Sequence, residues 1–395
     1  MKKMEIYIHI PFCVQKCRYC DFLSGPAGER EQREYMEALE REVKCSGKLG
    51  KGYEVSSIFL GGGTPSILSE KAIGRILGTV RETFQVEQDV EITMEMNPGT
   101  CKKEKLIMYH KAGINRLSIG LQSADDEELR ILGRIHSWRD FLNTYDEARE
   151  AGFSNINVDL MSAIPGQTLE SYENTLERVC RLFPEHISAY SLILEEGTVF
   201  WKWYEKTDHP KGYPSLPDEE TERKMYERTK QILKYYGFER YEISNYARKG
   251  KQCRHNIGYW KRVPYIGFGI GAASLFEECR WSNIRDRKEY VKIWREKKDA
   301  LFYIKEEIQQ LSEREAQEET FFLGLRMMEG VSEEDFERRF HVKPEKLYGQ
   351  EIRRLETENL LRRKHGRIFL TDRGIDVSNR VMACFLQEKE EGEEK

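Results

Sequence analysis

The stretch EIYIHIPFCVQKCRYC, residues 5–20, decides how this chain is read. Ile6, Ile8 and Ile10 alternate with polar or aromatic positions, which predicts a strand over residues 5–10, and Pro11 closes it. Three cysteines, Cys13, Cys17 and Cys20, then fall within eight residues. Such a cluster, behind an N-terminus that lacks the apolar region and cleavage site of a signal peptide, points to metal binding or redox chemistry rather than a disulfide frame. Three is the informative number. A structural Zn²⁺ takes four protein ligands, and the local fourth would be His9 or Asp21, whereas an iron–sulfur cubane held by three thiolates keeps one iron open. The other six of the nine cysteines (Cys45, Cys101, Cys180, Cys253, Cys279, Cys384) are scattered singly and read as ordinary thiols.

Outward from that stretch the chain alternates strands with helices. Further strands are expected at residues 57–60, 91–96, 116–119, 156–161 and 187–193, with helices at 32–45, 70–84, 103–112, 126–132, 138–151 and 169–182. That order predicts a parallel sheet. Six units are too few for a closed eight-stranded barrel, yet the chemically interesting residues cluster just after strand ends, as on the C-terminal face of β/α barrels. The expected fold is therefore α/β, an open, partial (β/α)6 barrel over residues 1–200. Residues 201–304 read as an accessory region packed on the barrel, residues 305–388 as a C-terminal winged-helix-like module, and residues 389–395 as an acidic tail.

The 395 residues carry 64 Lys plus Arg against 68 Asp plus Glu, a formal net charge of −4, which speaks against bulk polyanion binding. No nucleic acid partner is expected. No run approaches the ~20 apolar residues of a membrane span, and the expected location is cytoplasmic.

Several motifs converge on the predicted barrel mouth. Gly61-Gly62-Gly63-Thr64-Pro65 follows the second strand, where consecutive glycines let backbone amides approach a charged ligand. Glu95 and Asn97 end the third strand, Gln122 the fourth and Asp159 lies on the fifth, with Arg134 nearby in sequence. Together they offer a carboxylate for an ammonium group, an amide and a second acid.

Cys13-x3-Cys17-x2-Cys20, Gly61-Gly-Gly-Thr-Pro65 and Glu95-x-Asn97-Pro98 resemble the radical S-adenosylmethionine (SAM) superfamily over about residues 4–200. Within it, Tyr7-Ile-His-Ile-Pro-Phe-Cys13, Gly120-Leu-Gln-Ser123 and Asp159-Leu-Met-Ser-Ala-Ile-Pro-Gly-Gln167 resemble the oxygen-independent coproporphyrinogen III oxidase group. The resemblance implies a [4Fe–4S] cluster on Cys13, Cys17 and Cys20. It also implies SAM contacts from Tyr7, Gly62, Gly63, Thr64, Glu95, Gln122, Arg134 and Asp159. Ser162-Ala163 departs from the group, whose members usually carry a large residue and Gly there, and is expected to narrow the space beside SAM.

Two features point away from the oxidases of that group: Phe22 stands where they carry a further cysteine, and Cys13 follows the N-terminus almost at once. A third feature is positive. His255-Asn256-Ile257-Gly258-Tyr259-Trp260 matches a motif of the group's heme-chaperone branch, and an imidazole flanked by aromatic faces suits heme iron and a porphyrin plane. The resemblance thus implies heme binding by His255, Asn256, Tyr259 and Trp260, and delivery to respiratory or other heme proteins, some of them membrane-bound. An electron donor for the cluster, peripheral membrane contact during delivery and a cofactor-dependent homodimer follow from the same resemblance. The alternative is radical decarboxylation of coproporphyrinogen III. A zinc-stapled structural protein is a third reading.

Overall fold

The computed structural model describes residues 1–206 and 210–386; the expected acidic tail lies outside the described residues. Six strands, each followed by one or two helices, build the first half: β1 (Lys2–Ile10), α1 (Glu29–Cys45), β2 (Tyr53–Gly62), α2 (Glu70–Thr83), β3 (Val86–Met96), α3 (Lys103–Ala112), β4 (Arg116–Gln122), α4 (Asp126–Leu132), α5 (Trp138–Glu150), β5 (Ile156–Ser162), α6 (Leu169–Cys180) and β6 (His186–Ser191). Neighbouring strands from β1 to β6 pair in parallel, with Ile6 opposite Ile58, Leu60 opposite Met94 and Ile119 opposite Val158. The partial barrel expected from the alternation is what the chain forms.

Strand alternation gives this barrel two unlike faces. Ile6, Ile8, Ile10, Ile58, Leu60, Ile92, Met94, Leu117, Ile119, Val158 and Leu160 point outward into the main core, against Leu39, Ile76, Leu77, Leu106, Phe141 and Leu176 of the helices. The intervening residues line a polar lumen: Glu5 and Ser57 reach His255, Glu91 reaches residues 253–255, and Asn157 joins Ser118, Asp159 and His186. Arg116 in that lumen is among the largest fully buried side chains. A polar interior is unlike the packed aliphatic layers of a complete barrel, and it leaves donors and acceptors aimed along the axis.

After α7 (Val199–Tyr204) and α8 (Glu219–Tyr235) come β7 (Glu239–Arg240), β8 (Asn245–Ala247), α9 (Arg254–Trp260), β9 (Tyr265–Phe268), β10 (Ala273–Phe276), β11 (Cys279–Asn283), α10 (Arg287–Glu296), α11 (Ala300–Tyr303) and β12 (Lys305–Gln310). These strands do not merely pack on the barrel: β9 joins β1 in parallel and β8 joins β6, so one sheet runs β12-β11-β10-β9-β1-β2-β3-β4-β5-β6-β8-β7. Residues 305–310, expected in the C-terminal module, are the edge strand of this sheet, paired to β11. The buried Glu42 carboxyl of α1 binds the extension in place, accepting from Gly269 N (2.9 Å), Asn283 Nδ2 (2.7 Å) and the Tyr290 hydroxyl.

The C-terminal region comprises α12 (Glu313–Gly324), β13 (Val331–Ser332), α13 (Glu333–Phe340), α14 (Pro344–Thr357), β14 (Leu361–Lys364), β15 (Arg367–Leu370), α15 (Asp372–Asp376) and α16 (Ser378–Ala383). These five helices and a small antiparallel sheet, ordered β13-β15-β14, give the winged-helix-like form. Phe321, Phe336, Tyr348, Ile352 and Phe385 form a core of its own. Among the described residues, no helix is long and apolar enough to cross a membrane.

Candidate functional site at the barrel mouth

The segment after β1 leaves the sheet at Pro11 and returns through a parallel bridge between Phe12 and Gly25. Cys13 N donates to Gly25 O (3.1 Å), Arg18 N to Leu132 O (3.0 Å), and the Arg18 guanidinium to Arg130 O and Ile131 O at 2.6 and 2.7 Å. Anchored at both ends, the loop carries Cys13, Cys17 and Cys20 over the strand termini. All three thiols line one cavity with Gly62, Gly63, Thr64, Glu95, Asn97, Gln122, Arg134 and Asp159. Among the described residues no three His, Cys, Asp or Glu side chains converge closely enough for a single metal ion. Burial raises the thiols of Cys13 and Cys20 above the usual value.

Seven of the eight residues expected to contact SAM therefore meet in one place. Tyr7 does not line the cavity; it sits in the lumen and donates its hydroxyl to His9 Nδ1 (3.0 Å). The glycine triplet is bare because its neighbours leave no room. A Cβ on Gly63 would lie 2.5 Å from Phe12 O, one on Gly61 2.9 Å from Glu95 Oε2, and one on Gly62, at φ +107°, would strike the His9 ring. Gln122 also adopts a positive φ, 75°, an uncommon conformation for a non-glycine residue that concentrates at functional sites.

Glu95 is half-buried in the cavity wall and accepts from Gly62 N (2.9 Å). Burial first, and repulsion from Asp159 second, push its carboxyl up to about 8. A group so placed gains from an incoming cation. Asp159 is raised by burial as well, against hydrogen bonds from Asn157 Nδ2 (2.7 Å) and Ser118 Oγ (3.3 Å). Arg134 stands between cluster loop and strand ends: Nη2 donates to Asn97 Oδ1 (2.8 Å) and to Gly120 O, while Nη1 lies 3.6 Å from Cys17 Sγ. Asn97 in turn donates to Thr64 Oγ1 (2.9 Å).

His9, which the sequence offers only as a fourth zinc ligand, is a positioning residue of this mouth. Its Nε2–H donates to Leu23 O (2.9 Å), which makes Nδ1 the acceptor for Tyr7, and burial keeps the ring neutral. One imidazole thus ties the cluster loop to the strand and walls Gly62. The signal was present in the Tyr7/His9 alternation, which places both side chains on one face. Ser162, expected to narrow the space beside SAM, instead lines a neighbouring cavity of about 640 Å³ with Tyr172, Tyr226 and Tyr246. Ala163 takes φ +59°, a conformation that glycine adopts without strain.

The residues of the expected heme motif are elsewhere. Helix α9 lies across the opposite, N-terminal end of the barrel and inserts His255 into the lumen, 2% exposed. Ser57 Oγ is 2.8 Å from Nδ1, and Phe59 and Tyr259 flank the ring at centroid distances of 5.1 and 4.6 Å. Among the described residues Nε2 has no hydrogen-bond partner, nor has Oε2 of Glu5, which lies 3.7 Å from Nδ1. Burial, then the nearby Arg116 charge, holds His255 down to about 3. Asn256, Tyr259 and Trp260 are half-buried around it.

Comparison with known proteins fits this geometry. A family model described as Radical SAM superfamily matches residues 7–179, and one described as HemN C-terminal domain matches residues 311–377. The chain is 35% identical over 384 residues to the heme chaperone HemW of Bacillus subtilis, covering 97% of this chain and 99% of that one. This chain belongs to the radical SAM superfamily, in its HemN/HemW group. It is also 41% identical over 270 residues to the heme chaperone HemW of Escherichia coli, covering 68% and 69% of the two chains. Among solved structures it is similar to the E. coli coproporphyrinogen III oxidase HemN, with a TM-score of 0.83 at 23% identity over 97% of this chain and 90% of that one, a likeness of fold. Radical SAM membership implies use of SAM and a [4Fe–4S] cluster. The three-thiol loop, the bare glycine cradle and the cation-seeking Glu95 fit both.

The buried groups set a pH dependence. Glu95 and Glu42, pushed up to about 8 and about 7, and Glu5, raised by burial, bind protons more tightly folded than unfolded. Their stabilisation is lost as pH rises through those values. His9, His136, His186 and His255 are all lowered from 6.5, so they act only below that pH and with the opposite sign. The melting temperature of SAM-free protein is expected to fall between about pH 6.5 and pH 8, with a shallower fall in Glu95→Gln. A flat or rising midpoint across that window contradicts the assignment.

Proposed function

We propose that this chain is a heme chaperone whose barrel mouth holds a [4Fe–4S] cluster and SAM, and which passes heme to recipient heme proteins. The end-to-end likeness to a curated heme chaperone carries the reading. Cys13, Cys17 and Cys20 would hold the cluster, which with SAM bound beside it would supply the radical chemistry of the superfamily. Glu95 would accept from the amino N–H groups of SAM, the amides around Gly62–Thr64 would approach its charged end, and Gln122 and Asp159 would orient the remainder. Arg134 fixes Cys17 against the strand ends through Asn97 and Gly120. Heme is the cargo, with the His255 motif as its candidate holder.

A second reading, coproporphyrinogen III oxidation, is favoured by the fold shared with HemN across nearly the whole chain, and by the closed setting of His255, which presents no face to a macrocycle. The two readings share every mouth residue and differ in what enters. Phe22, 62% exposed beside the cluster loop, stands where the oxidases carry a cysteine and supports the chaperone. The test is anaerobic heme titration of cluster-loaded protein, run beside a decarboxylation assay with coproporphyrinogen III. One heme per chain without decarboxylation is expected; catalytic formation of protoporphyrinogen IX would establish the oxidase instead.

A further inference from the structure

Helix α9 is held from two sides, and the outer side belongs to a different domain. Within the lumen its N-terminus has no side-chain cap of its own; Glu91 of β3 supplies one, accepting from Arg254 N (2.9 Å) and His255 N (3.4 Å). Outside, the C-terminal region grips the other end: Arg326 covers the Trp260 ring at 4.5 Å and Lys261 pairs with Glu329 (2.7 Å). It also holds the segment before β8, where Met328 N donates to Tyr241 O (3.0 Å). Arg262, with no side-chain exposure, is clamped between Glu319 of α12 (2.8 Å) and Glu278 (2.9 Å). Glu278 also receives Arg339 of α13 (2.7 Å), and Glu319 receives Arg280 (2.6 Å).

This junction is rich in ion pairs. Its apolar part is the small cluster of Tyr241, Ala247 and Met327 with Ile257 and Trp260, together with Tyr226 and Ile243, which pack against the C-terminal region's own core. A polar seam between two independently cored bodies is the kind across which domains move. On the lumen side, His255 Nε2 and Glu5 Oε2, the latter 3.7 Å from the ring's Nδ1, are buried with no hydrogen-bond partner among the described residues. A buried polar atom without a partner favours any state in which it finds one.

We propose that the C-terminal region is a latch on the His255 helix: docked, as here, it keeps the imidazole plugged in the barrel floor, and lifting it releases α9 so that His255 can reach heme iron. The latch rests on the heme-chaperone reading, and it makes heme loading and C-terminal docking mutually exclusive. It also explains how a motif suited to iron can lie with both ring faces covered.

The test uses full-length, cluster-loaded protein and the variants Glu319→Gln and Glu329→Ala, the second at an exposed pair where folding is not at stake. Hydrogen exchange of the amides of residues 257–263, which close the turns of α9, reads the latch without heme. Exchange there is expected to rise at least about tenfold in the variants and in high salt, with strands β1 to β6 unchanged. Heme association by stopped-flow absorbance is expected to accelerate by a similar factor in the same variants, and His255→Ala is expected to remove tight heme binding from all of them. Unchanged α9 exchange in both variants overturns the latch. Faster exchange without faster heme association also overturns it. Heme affinity and spectrum unaltered by His255→Ala overturns the heme role of His255 instead, and the two failures are thereby told apart.

Discussion

Cys17→Ala leaves the protein colourless after anaerobic reconstitution, with iron and sulfide below about a tenth of the wild-type content. The expectation is sharp because the substitution removes a ligand without removing the loop. The anchors of that loop are backbone groups and Arg18: Gly25 N to Pro11 O, Cys13 N to Gly25 O, and Arg18 to three carbonyls at the end of α4. None depends on the Cys17 thiol, so circular dichroism and melting of the apo chain should be unaltered. With two thiolates the remaining irons lack their third anchor, and Arg134 Nη1, 3.6 Å from Cys17 Sγ, is left beside an empty corner. Four irons per chain in the variant would show that the cluster sits elsewhere. One equivalent of zinc without sulfide, in the wild type, would restore the structural-staple reading.

Gly62→Ala should lower SAM affinity by about a hundredfold, equivalent to ~2.7 kcal/mol, with the cluster retained. Two effects act together. The residue stands at φ +107°, where a Cβ is unfavourable by itself, and the added methyl meets the His9 ring. That ring cannot swing away without losing Tyr7 or Leu23, so the strain passes into Gly62 N and its bond to Glu95. Equilibrium binding to the reconstituted protein measures the loss. Gly74→Ala on α2, where a Cβ meets nothing within 4 Å, is the control and should bind SAM as the wild type does. Equal affinity in the two variants would remove the glycine cradle from the site.

What could be read from the sequence was local. Cys13, Cys17 and Cys20 share one loop, Gly61–Gly63 one turn, and the apolar alternation of β1 to β6 declares itself within each segment. Seven mouth residues could be gathered because parallel strands bring their C-terminal ends to one side. What escaped depends on distant pairings. β12, reading Lys-Glu-Glu-Ile-Gln-Gln, has no strand-like period, and only its partner β11 makes it a strand. The placing of His255 depends on Glu5, Ser57, Phe59 and Glu91, some 160 residues or more away in the chain. The polar lumen escaped for a further reason: Glu5, Ser57, Glu91 and Asn157 alternate with aliphatics as they would in a strand facing water. Periodicity tells the two faces apart but does not say which one the helices cover.

The twelve-stranded sheet has consequences for how the molecule behaves among its own copies. So long a sheet ends in two edges. β7 is two residues long, and β12 offers Lys305, Glu306, Glu307, Gln309 and Gln310 along almost its whole length. A truncated rim and a charged one are poor templates for a further strand, because a like-charged copy laid against β12 meets its own carboxylates. Concentrated solutions should therefore resist strand-by-strand growth into fibrils. Replacing Glu306 and Glu307 together with valine would turn that rim into a sticky end, detectable as seeded aggregation under conditions in which the parent chain stays clear.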